Sequence, residues 1–165
     1  MKSKFTIRLS VLLLIFLNIG CDQVTKSIAR SQLEYNEQVP IIKNYFTLVK
    51  VENSGAFLSS GDHWPVPIKF ALLNLLPVLM MTYGVFFLMT KVYTDRIVMV
   101  GIACIVGGGI GNLYDRMRFG SVTDFMHMDL IVFQTGVFNI ADLSIMTGLF
   151  MLLYYNFTRR RSLVE

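Results

Sequence analysis

The sequence contains few charged residues for its length. Charged residues make up 16% of the 165 residues, whereas a soluble domain usually contains about 25%. Hydrophobic residues make up 54% of the chain, and the mean hydropathy is +0.56. This composition excludes an ordinary soluble domain and predicts an integral membrane protein.

Cysteine and histidine are also scarce. Cys21 and Cys104 both lie in apolar segments, which argues against a disulfide framework and against a zinc site. His63 and His127 match no metal-binding motif such as H-E-x-x-H. The net charge of +4 is not gathered into a basic patch with stacking aromatic residues, so we do not expect nucleic acid as a partner.

Four apolar stretches approach the length of about 20 residues that a membrane-spanning helix needs. They run from about Phe5 to Val24, Ile68 to Thr90, Ile97 to Leu113, and Val137 to Phe157. The sequence therefore predicts a membrane α-helical protein, a four-transmembrane-helix bundle that forms a single domain.

Basic residues flank these stretches in a regular way. The clusters are Lys2, Lys4 and Arg8 before the first stretch, Lys91 and Arg96 between the second and third, and Arg159, Arg160 and Arg161 after the fourth. If all four stretches span, the three clusters share one side, and the positive-inside rule makes that side the cytoplasm. Both termini are then cytoplasmic.

Two segments are predicted to lie on the outer side of the membrane. The first, about residues 26–67, is called the outer segment, and the second, about residues 114–136, is called the outer loop. Phe46 to Glu52 is rich in β-branched residues, and Val39 to Ile42 is a second candidate strand. We therefore expect a small β-rich segment that rests on the outer face of the membrane.

Two aspartates are the strongest candidates for chemistry. Asp124 follows the third apolar stretch and Asp142 opens the fourth, so both should lie at the outer face at a similar depth. A carboxylate near hydrocarbon is costly and usually functional. Facing one another, the two would share a proton and activate water, as in an aspartic peptidase. The alternative for each is an interfacial carboxylate paired with a base such as Arg116 or Lys26.

Several polar residues near these aspartates have two interpretations each. Asn112, Asp115 and Arg116 share neighbouring faces of a helix end, which is either solvated or forms a polar rim that orients a peptide. The loop that begins at Asn53 is either an ordinary turn or a grip on substrate. A catalytic pair of Ser54 and Lys50 has no further support in the sequence.

Asp22 and Lys26 are four residues apart on one helix face. An exposed pair of this kind contributes only about 0.2–0.5 kcal/mol. At a membrane interface the pair neutralises itself, and we expect it to have a structural role.

The third apolar stretch carries the glycine cluster Gly107-Gly-Gly-Ile-Gly111. Gly107 and Gly111 have the G-x-x-x-G spacing that allows helix backbones to approach closely. We expect this face of the helix to be tightly packed or to lie against a substrate helix in the bilayer.

The amino-terminal segment has features of a lipoprotein signal peptide, because basic residues and an apolar run precede Gly20-Cys21-Asp22. If it were cleaved, a lipid-anchored protein with three helices would remain. Asn18 fits poorly at the third position before the cysteine, and three further spans argue that the segment is retained.

Together, these motifs resemble lipoprotein signal peptidase, or signal peptidase II, of bacterial inner membranes. The resemblance covers nearly the whole chain. It is carried by Asp22-Gln-Val-Thr-Lys26, Val51-Glu-Asn-Ser-Gly-Ala-Phe57, Gly108-Gly-Ile-Gly-Asn-Leu-Tyr-Asp-Arg116 with Val122-Thr-Asp-Phe125, and Phe138-Asn-Ile-Ala-Asp142.

The resemblance implies an aspartic endopeptidase that cuts diacylglyceryl-modified prolipoproteins on the amino side of the lipidated cysteine. Asp124 and Asp142 match the catalytic pair. The positions that match the substrate and inhibitor site are Asn53, Gly55, Asn112, Arg116, Asn139 and Ala141, and those that match structural support are Asp22, Lys26 and Gly108.

The resemblance also implies the setting in which the protein acts. The expected protein is a monomer of the bacterial cell inner membrane, surrounded by membrane lipids, with its active site and β-rich segment on the periplasmic side. It needs no metal or organic cofactor and is inhibited by globomycin-type compounds.

Three other functions are open to a protein of this composition. A membrane scaffold or assembly factor would use the acids only as ion-pair partners. A proton-coupled transporter would need ionisable residues across the bilayer, and none form such a chain. Presenilin-like and prepilin-type peptidases carry Gly-x-Gly-Asp, which is absent from this sequence.

Overall fold

The computed structural model describes residues 4–43, 45–55, 63–91, 95–130 and 132–161. Four helical segments are long and apolar enough to cross a membrane. They are α1 (Lys4–Gln32), a continuous helix made of α2 (Val66–Phe70), a π-helical turn (Ala71–Leu75) and α3 (Leu76–Thr90), then α4 (Arg96–Phe119) and α5 (Ile140–Arg161). The predicted membrane α-helical bundle of four transmembrane helices is confirmed.

Helix α4 is the centre of the bundle. In its most apolar stretch 61% of the residues are buried, against 11–17% in the other three spans. Around it, Val11 and Ile15 of α1 and Leu88 of α3 form one core with Ala103 and Val106 of α4. The outward faces of the other helices remain apolar and exposed, as expected for surfaces that contact lipid.

Glycines allow α4 to contact its neighbours through backbone atoms. A Cβ on Gly107 would lie 2.6 Å from Asn18 Cβ of α1, and one on Gly108 would lie 2.4 Å from the Ala141 carbonyl oxygen of α5. The glycine face is therefore filled by α1 and α5. The expectation of tight packing is confirmed, and the expectation that a substrate helix lies against this face is wrong.

Three antiparallel strands follow the order β1 (Gln38–Ile42), β2 (Phe46–Asn53) and β3 (Val122–Met128). The first two lie where β-branched residues predicted them. The third lies in the outer loop, and its side chains from Val122 to Met126 are buried. Phe125 and Met126 form a second core with Ala29 near the end of α1, so the sheet is fixed directly to the bundle.

Two helices extend beyond their apolar stretches. Helix α1 continues past Val24 to Gln32, and α4 continues past Leu113 to Phe119. Gly120 caps the end of α4. It has a left-handed backbone (φ 80°), and its N–H donates to the Arg116 carbonyl at 3.0 Å. Hydropathy does not detect these extensions because their helical residues are polar.

The amino-terminal segment is part of the folded bundle. Val11 and Ile15 lie in the core, and Cys21 lies within α1, not after its end. Removal of the residues before Cys21 would therefore remove core side chains, which argues that the segment is retained.

The contact between α4 and α5 gives a test of the packing. A Cβ on Gly148 would lie 2.3 Å from the Gly101 carbonyl oxygen, whereas one on Gly20 would have no neighbour within 4 Å. We expect Gly148→Ala to destabilise the protein by about 1–3 kcal/mol, since backbone atoms must move apart. Thermal unfolding in detergent would measure this change.

The matched control for this test is Gly20→Ala. It should leave the unfolding temperature unchanged or raise it, because alanine favours helix over glycine by about 1 kcal/mol. Equal unfolding temperatures for Gly148→Ala and the wild type would contradict the close contact.

Candidate active site

Two amide side chains join Asp124 and Asp142. Asn139 Nδ2 donates to Asp124 Oδ1 at 2.6 Å and to Asn112 Oδ1 at 3.2 Å. Asn112 Nδ2 then donates to Asp142 Oδ1 at 2.8 Å. The structure thus brings together four of the residues that the sequence singled out, from β3, α4 and the start of α5.

Asp124 is held in a buried position on β3. Asp124 lies opposite Val51 of β2. Asn53, at the end of β2, donates from Nδ2 to Asp124 Oδ2 at 3.1 Å. Burial raises the pKa of Asp124 from 3.8 to about 6, with a further contribution from the negative charge of Asp142, while the amides of Asn53 and Asn139 oppose the rise. Asp124 is therefore suited to hold a proton up to about pH 6.

Asp142 lies in the first turn of α5 in a reciprocal cap with Asn139. The Asn139 backbone N–H donates to Asp142 Oδ2 at 3.1 Å, and the Asp142 N–H donates to Asn139 Oδ1 at 2.9 Å. This is the hydrogen-bond pattern of a capping box. The positive end of the helix dipole favours an anion at this position.

Arg116 links α4 to the loop after β2. Its Nη2 donates to the Gly55 carbonyl at 3.1 Å, and the Gly55 N–H donates to Asn53 Oδ1 at 3.1 Å. The guanidinium interacts electrostatically with Asp124 and Asp142. Asn53, Gly55 and Arg116 therefore lie beside the two acids, while residues 56 and 57 of the same motif are outside the described residues.

Lys26 is fully buried between two carboxylates. Its Nζ lies 2.9 Å from Asp22 Oδ2 and 3.0 Å from Asp115 Oδ2, and all three side chains have 0% exposure. It also donates to Asn112 Oδ1 at 2.8 Å. The interpretations of Asp22–Lys26 as a weak interfacial pair and of Asp115 as part of a solvated helix end are wrong, because the surrounding helices exclude solvent from both.

Asp22 also holds the beginning of α5. The backbone N–H of Ala141 donates to Asp22 Oδ1 at 3.0 Å, which satisfies a donor that the first helical turn cannot satisfy itself. A Cβ on Gly111 would lie 2.5 Å from Asp22 Oδ2. Ala141 itself is fully buried.

Arg30 is a member of the buried network that the sequence alone did not indicate. Its Nη2 lies 2.8 Å from Asp115 Oδ1, and its Nε donates to Thr123 Oγ1 at 2.8 Å. Thr123 in turn donates to Glu52 Oε1 at 2.8 Å. The available signal was spacing, since Arg30 follows Lys26 by the same four residues that separate Asp22 from Lys26, and so lies on the same face of α1.

The alternative catalytic groups have different partners. Lys50 Nζ donates to the Leu33 carbonyl, whereas the lysine near Ser54 is Lys69, with its Nζ 3.4 Å from Ser54 Oγ. Within the described ranges, no group of three or more His, Cys, Asp or Glu side chains is arranged to hold a metal ion.

Comparison with known proteins identifies the fold. A solved bacterial membrane enzyme superimposes with a TM-score of 0.80, at 22% identity, over 90% of this chain and 88% of the other. A second solved bacterial membrane enzyme gives a TM-score of 0.77 at 22% identity. This arrangement of helices and sheet therefore occurs in bacterial membrane enzymes.

Sequence comparison gives the family. The lipoprotein signal peptidase of Desulforapulum autotrophicum is 34% identical over 83% of this chain and 85% of the relative. That of Clostridium novyi is 34% identical over 87% of this chain and 94% of the relative. The sequence profile described as signal peptidase (SPase) II matches residues 14–158. The chain therefore belongs to the signal peptidase II family, the multi-pass membrane peptidases that process lipoprotein signal peptides.

Proposed function

We propose that this peptidase is of the aspartic type and that Asp124 and Asp142 form its catalytic dyad. The observation that carries the proposal is the linkage of the two carboxylates through Asn112 and Asn139. The substrate is a diacylglyceryl-modified prolipoprotein, cut on the amino side of the lipidated cysteine.

The dyad activates water by general acid–base catalysis. The ionised aspartate takes a proton from water, and the hydroxide adds to the carbonyl carbon of the scissile peptide bond. The protonated aspartate donates to the carbonyl oxygen. When the tetrahedral intermediate collapses, the C–N bond breaks, the aspartate that took the water proton passes it to the leaving amine of the lipidated cysteine, and a hydroxyl of the intermediate returns a proton to the other aspartate as the new carboxyl group forms.

The polar residues around the dyad orient the substrate. Asn53, Gly55, Asn112, Arg116, Asn139 and Ala141 are the proposed substrate-binding positions. Arg116 and Asn53 carry hydrogen-bond donors beside the acids. A peptide carbonyl or a lipid ester oxygen of the substrate would accept hydrogen bonds from these donors. Globomycin-type inhibitors would compete for these positions. The proposed active unit is the monomer.

The charge distribution supports a location in the inner membrane with both termini in the cytoplasm. Arg8 Nε donates to the Met89 carbonyl at 3.0 Å, so the start of α1 and the end of α3 lie together. The Tyr155 hydroxyl donates to Asp95 Oδ2 at 2.5 Å, which joins the end of α5 to the start of α4. The described basic residues Arg8 and Arg159 thus lie at one end of the bundle, and we assign the opposite end, with the proposed dyad, to the periplasm.

The dyad is tested by single amide substitutions. We expect Asp124→Asn and Asp142→Asn each to lower kcat by about 10²–10⁴-fold or more, because each removes a general acid–base group. The measurement is cleavage of a purified diacylglyceryl-modified prolipoprotein by the detergent-solubilised protein, read by intact mass.

Asp129→Asn is the matched control, because Asp129 lies in the outer loop and pairs with Gln134. This variant should cut at the wild-type rate and before the same cysteine. Normal cleavage by either dyad variant would reject the aspartic mechanism.

The raised pKa of Asp124 predicts a pH dependence. Asp124 keeps its proton up to about pH 6, so the protonated form needed as the acid is lost as the pH rises through this value. We expect kcat/KM, which reports the free enzyme, to fall with an apparent pKa near 6. A kcat/KM that stays constant between about pH 5 and pH 9 would be incompatible with a shared proton in the free dyad.

A further inference from the structure

We propose that Lys26 is a positioning residue for the dyad: its buried ammonium fixes the orientation of the Asn112 amide and thereby sets the direction of the hydrogen bonds that reach Asp142 and Asp124. This inference rests on the proposed function of Asp124 and Asp142. It assigns Lys26 a part in the reaction beyond structural support, although Lys26 touches neither acid.

The ammonium of Lys26 has a full set of acceptors. Its three N–H groups face Asp22 Oδ2 at 2.9 Å, Asp115 Oδ2 at 3.0 Å and Asn112 Oδ1 at 2.8 Å. A lysine can only donate, so Asn112 must present its carbonyl oxygen to Lys26. The NH₂ group of Asn112 is then left to donate to Asp142, at 2.8 Å.

The same constraint extends to Asp124. The Asn112 carbonyl oxygen also accepts a hydrogen bond from Asn139 Nδ2 at 3.2 Å, and Asn139 Nδ2 donates to Asp124 Oδ1 at 2.6 Å. If the Asn112 amide flipped, its NH₂ would meet the donors of Lys26 and Asn139, and its carbonyl would meet Asp142. Lys26 therefore sets the direction of the hydrogen bonds that reach both acids.

The two acids receive different kinds of donor. Asp142 accepts from Asn112 Nδ2 and from the backbone N–H of Asn139 at the start of α5, where the helix dipole also favours an anion. Among the described residues, the Asp124 carboxylate accepts hydrogen bonds from the side-chain amides of Asn53 and Asn139, and it is buried on β3. The two carboxylates of the dyad therefore lie in different hydrogen-bonding surroundings.

In the part of the chain that the structure describes, the charged groups that interact with the dyad are Lys26 from α1 and Arg116 from α4, and Asp115 from α4 interacts with Arg116. Lys26 favours the ionised form of Asp124, and Arg116 interacts electrostatically with both dyad acids. Removal of the lysine charge should therefore make ionisation of the dyad harder and move the whole pH–rate profile to higher pH.

The test compares Lys26→Met with the double variant Lys26→Met and Asp22→Asn. After the single change, Arg30 is the one ion-pair partner left for the two carboxylates of Asp22 and Asp115 among the described residues. A buried carboxylate without a positive partner can prevent folding. The double variant restores the charge balance and keeps an oxygen at position 22 to accept the Ala141 N–H. Thermal unfolding identifies which variants are folded.

Cleavage of the diacylglyceryl-modified prolipoprotein is then measured as kcat and KM across pH. We expect the folded double variant to lose about a hundredfold in kcat, as displaced catalytic groups do, with KM changed by less than about threefold. Its pH–rate profile should move to higher pH. A residue with only a structural role would lower the unfolding temperature without moving the profile.

Gln23→Leu is the matched control. Gln23 donates to Asp22 and Asp115 at 3.0 and 3.1 Å, so this change disturbs the same buried carboxylates without touching the amides that reach the dyad. Its pH–rate profile should match the wild type.

Three outcomes would count against parts of this account. A double variant with wild-type kcat and pH–rate profile would overturn the role of Lys26. An equal shift in Gln23→Leu would overturn it as well, since the effect would not need the Asn112 amide. A folded wild type that does not cut, or that still cuts after Asp124→Asn, would instead overturn the proposed function.

Discussion

The fold and the candidate site both depend on the burial of Lys26 between Asp22 and Asp115. A buried charge without partners is strongly unfavourable, so these groups must remain together. Asp22 lies on α1 and also holds the first turn of α5 through the Ala141 N–H, while Asp115 lies on α4 and pairs with Arg30. One cluster therefore fixes the relative positions of three helices at the level of the dyad.

Glycines make this cluster possible. In a bilayer, lipid is as apolar as the helix surfaces, so helices associate through close packing and internal hydrogen bonds. Gly111 leaves the space that the Asp22 carboxylate occupies, and Gly108 allows the Ala141 carbonyl to approach. The same two contacts set how far α5 starts from α4, and hence where Asp142 lies relative to Asn112.

The sequence was sufficient for the spans and for two of the three strands, and it singled out the two aspartates that Asn112 and Asn139 link in the structure. Apolar length and β-branched runs are local signals, and an acid beside hydrocarbon is conspicuous. Burial of Asp22, Lys26 and Asp115 could not be predicted, because a spacing of four residues is the same for an exposed and a buried pair. Strand β3 and the helices that pack on the glycine face of α4 could not be predicted either. They depend on contacts between residues distant in sequence, such as the pairing of Val51 with Asp124.

The two acids are chemically identical, and the elements that carry them make them different. A helix start supplies Asp142 with a backbone N–H and a favourable dipole, whereas a strand interior gives Asp124 burial and neutral amides. In the aspartic mechanism proposed above, one acid must hold a proton while the other is ionised. The placement of one acid on a helix and the other on a strand gives the two acids the unequal surroundings that this mechanism requires. The amides of Asn112 and Asn139 connect these two environments.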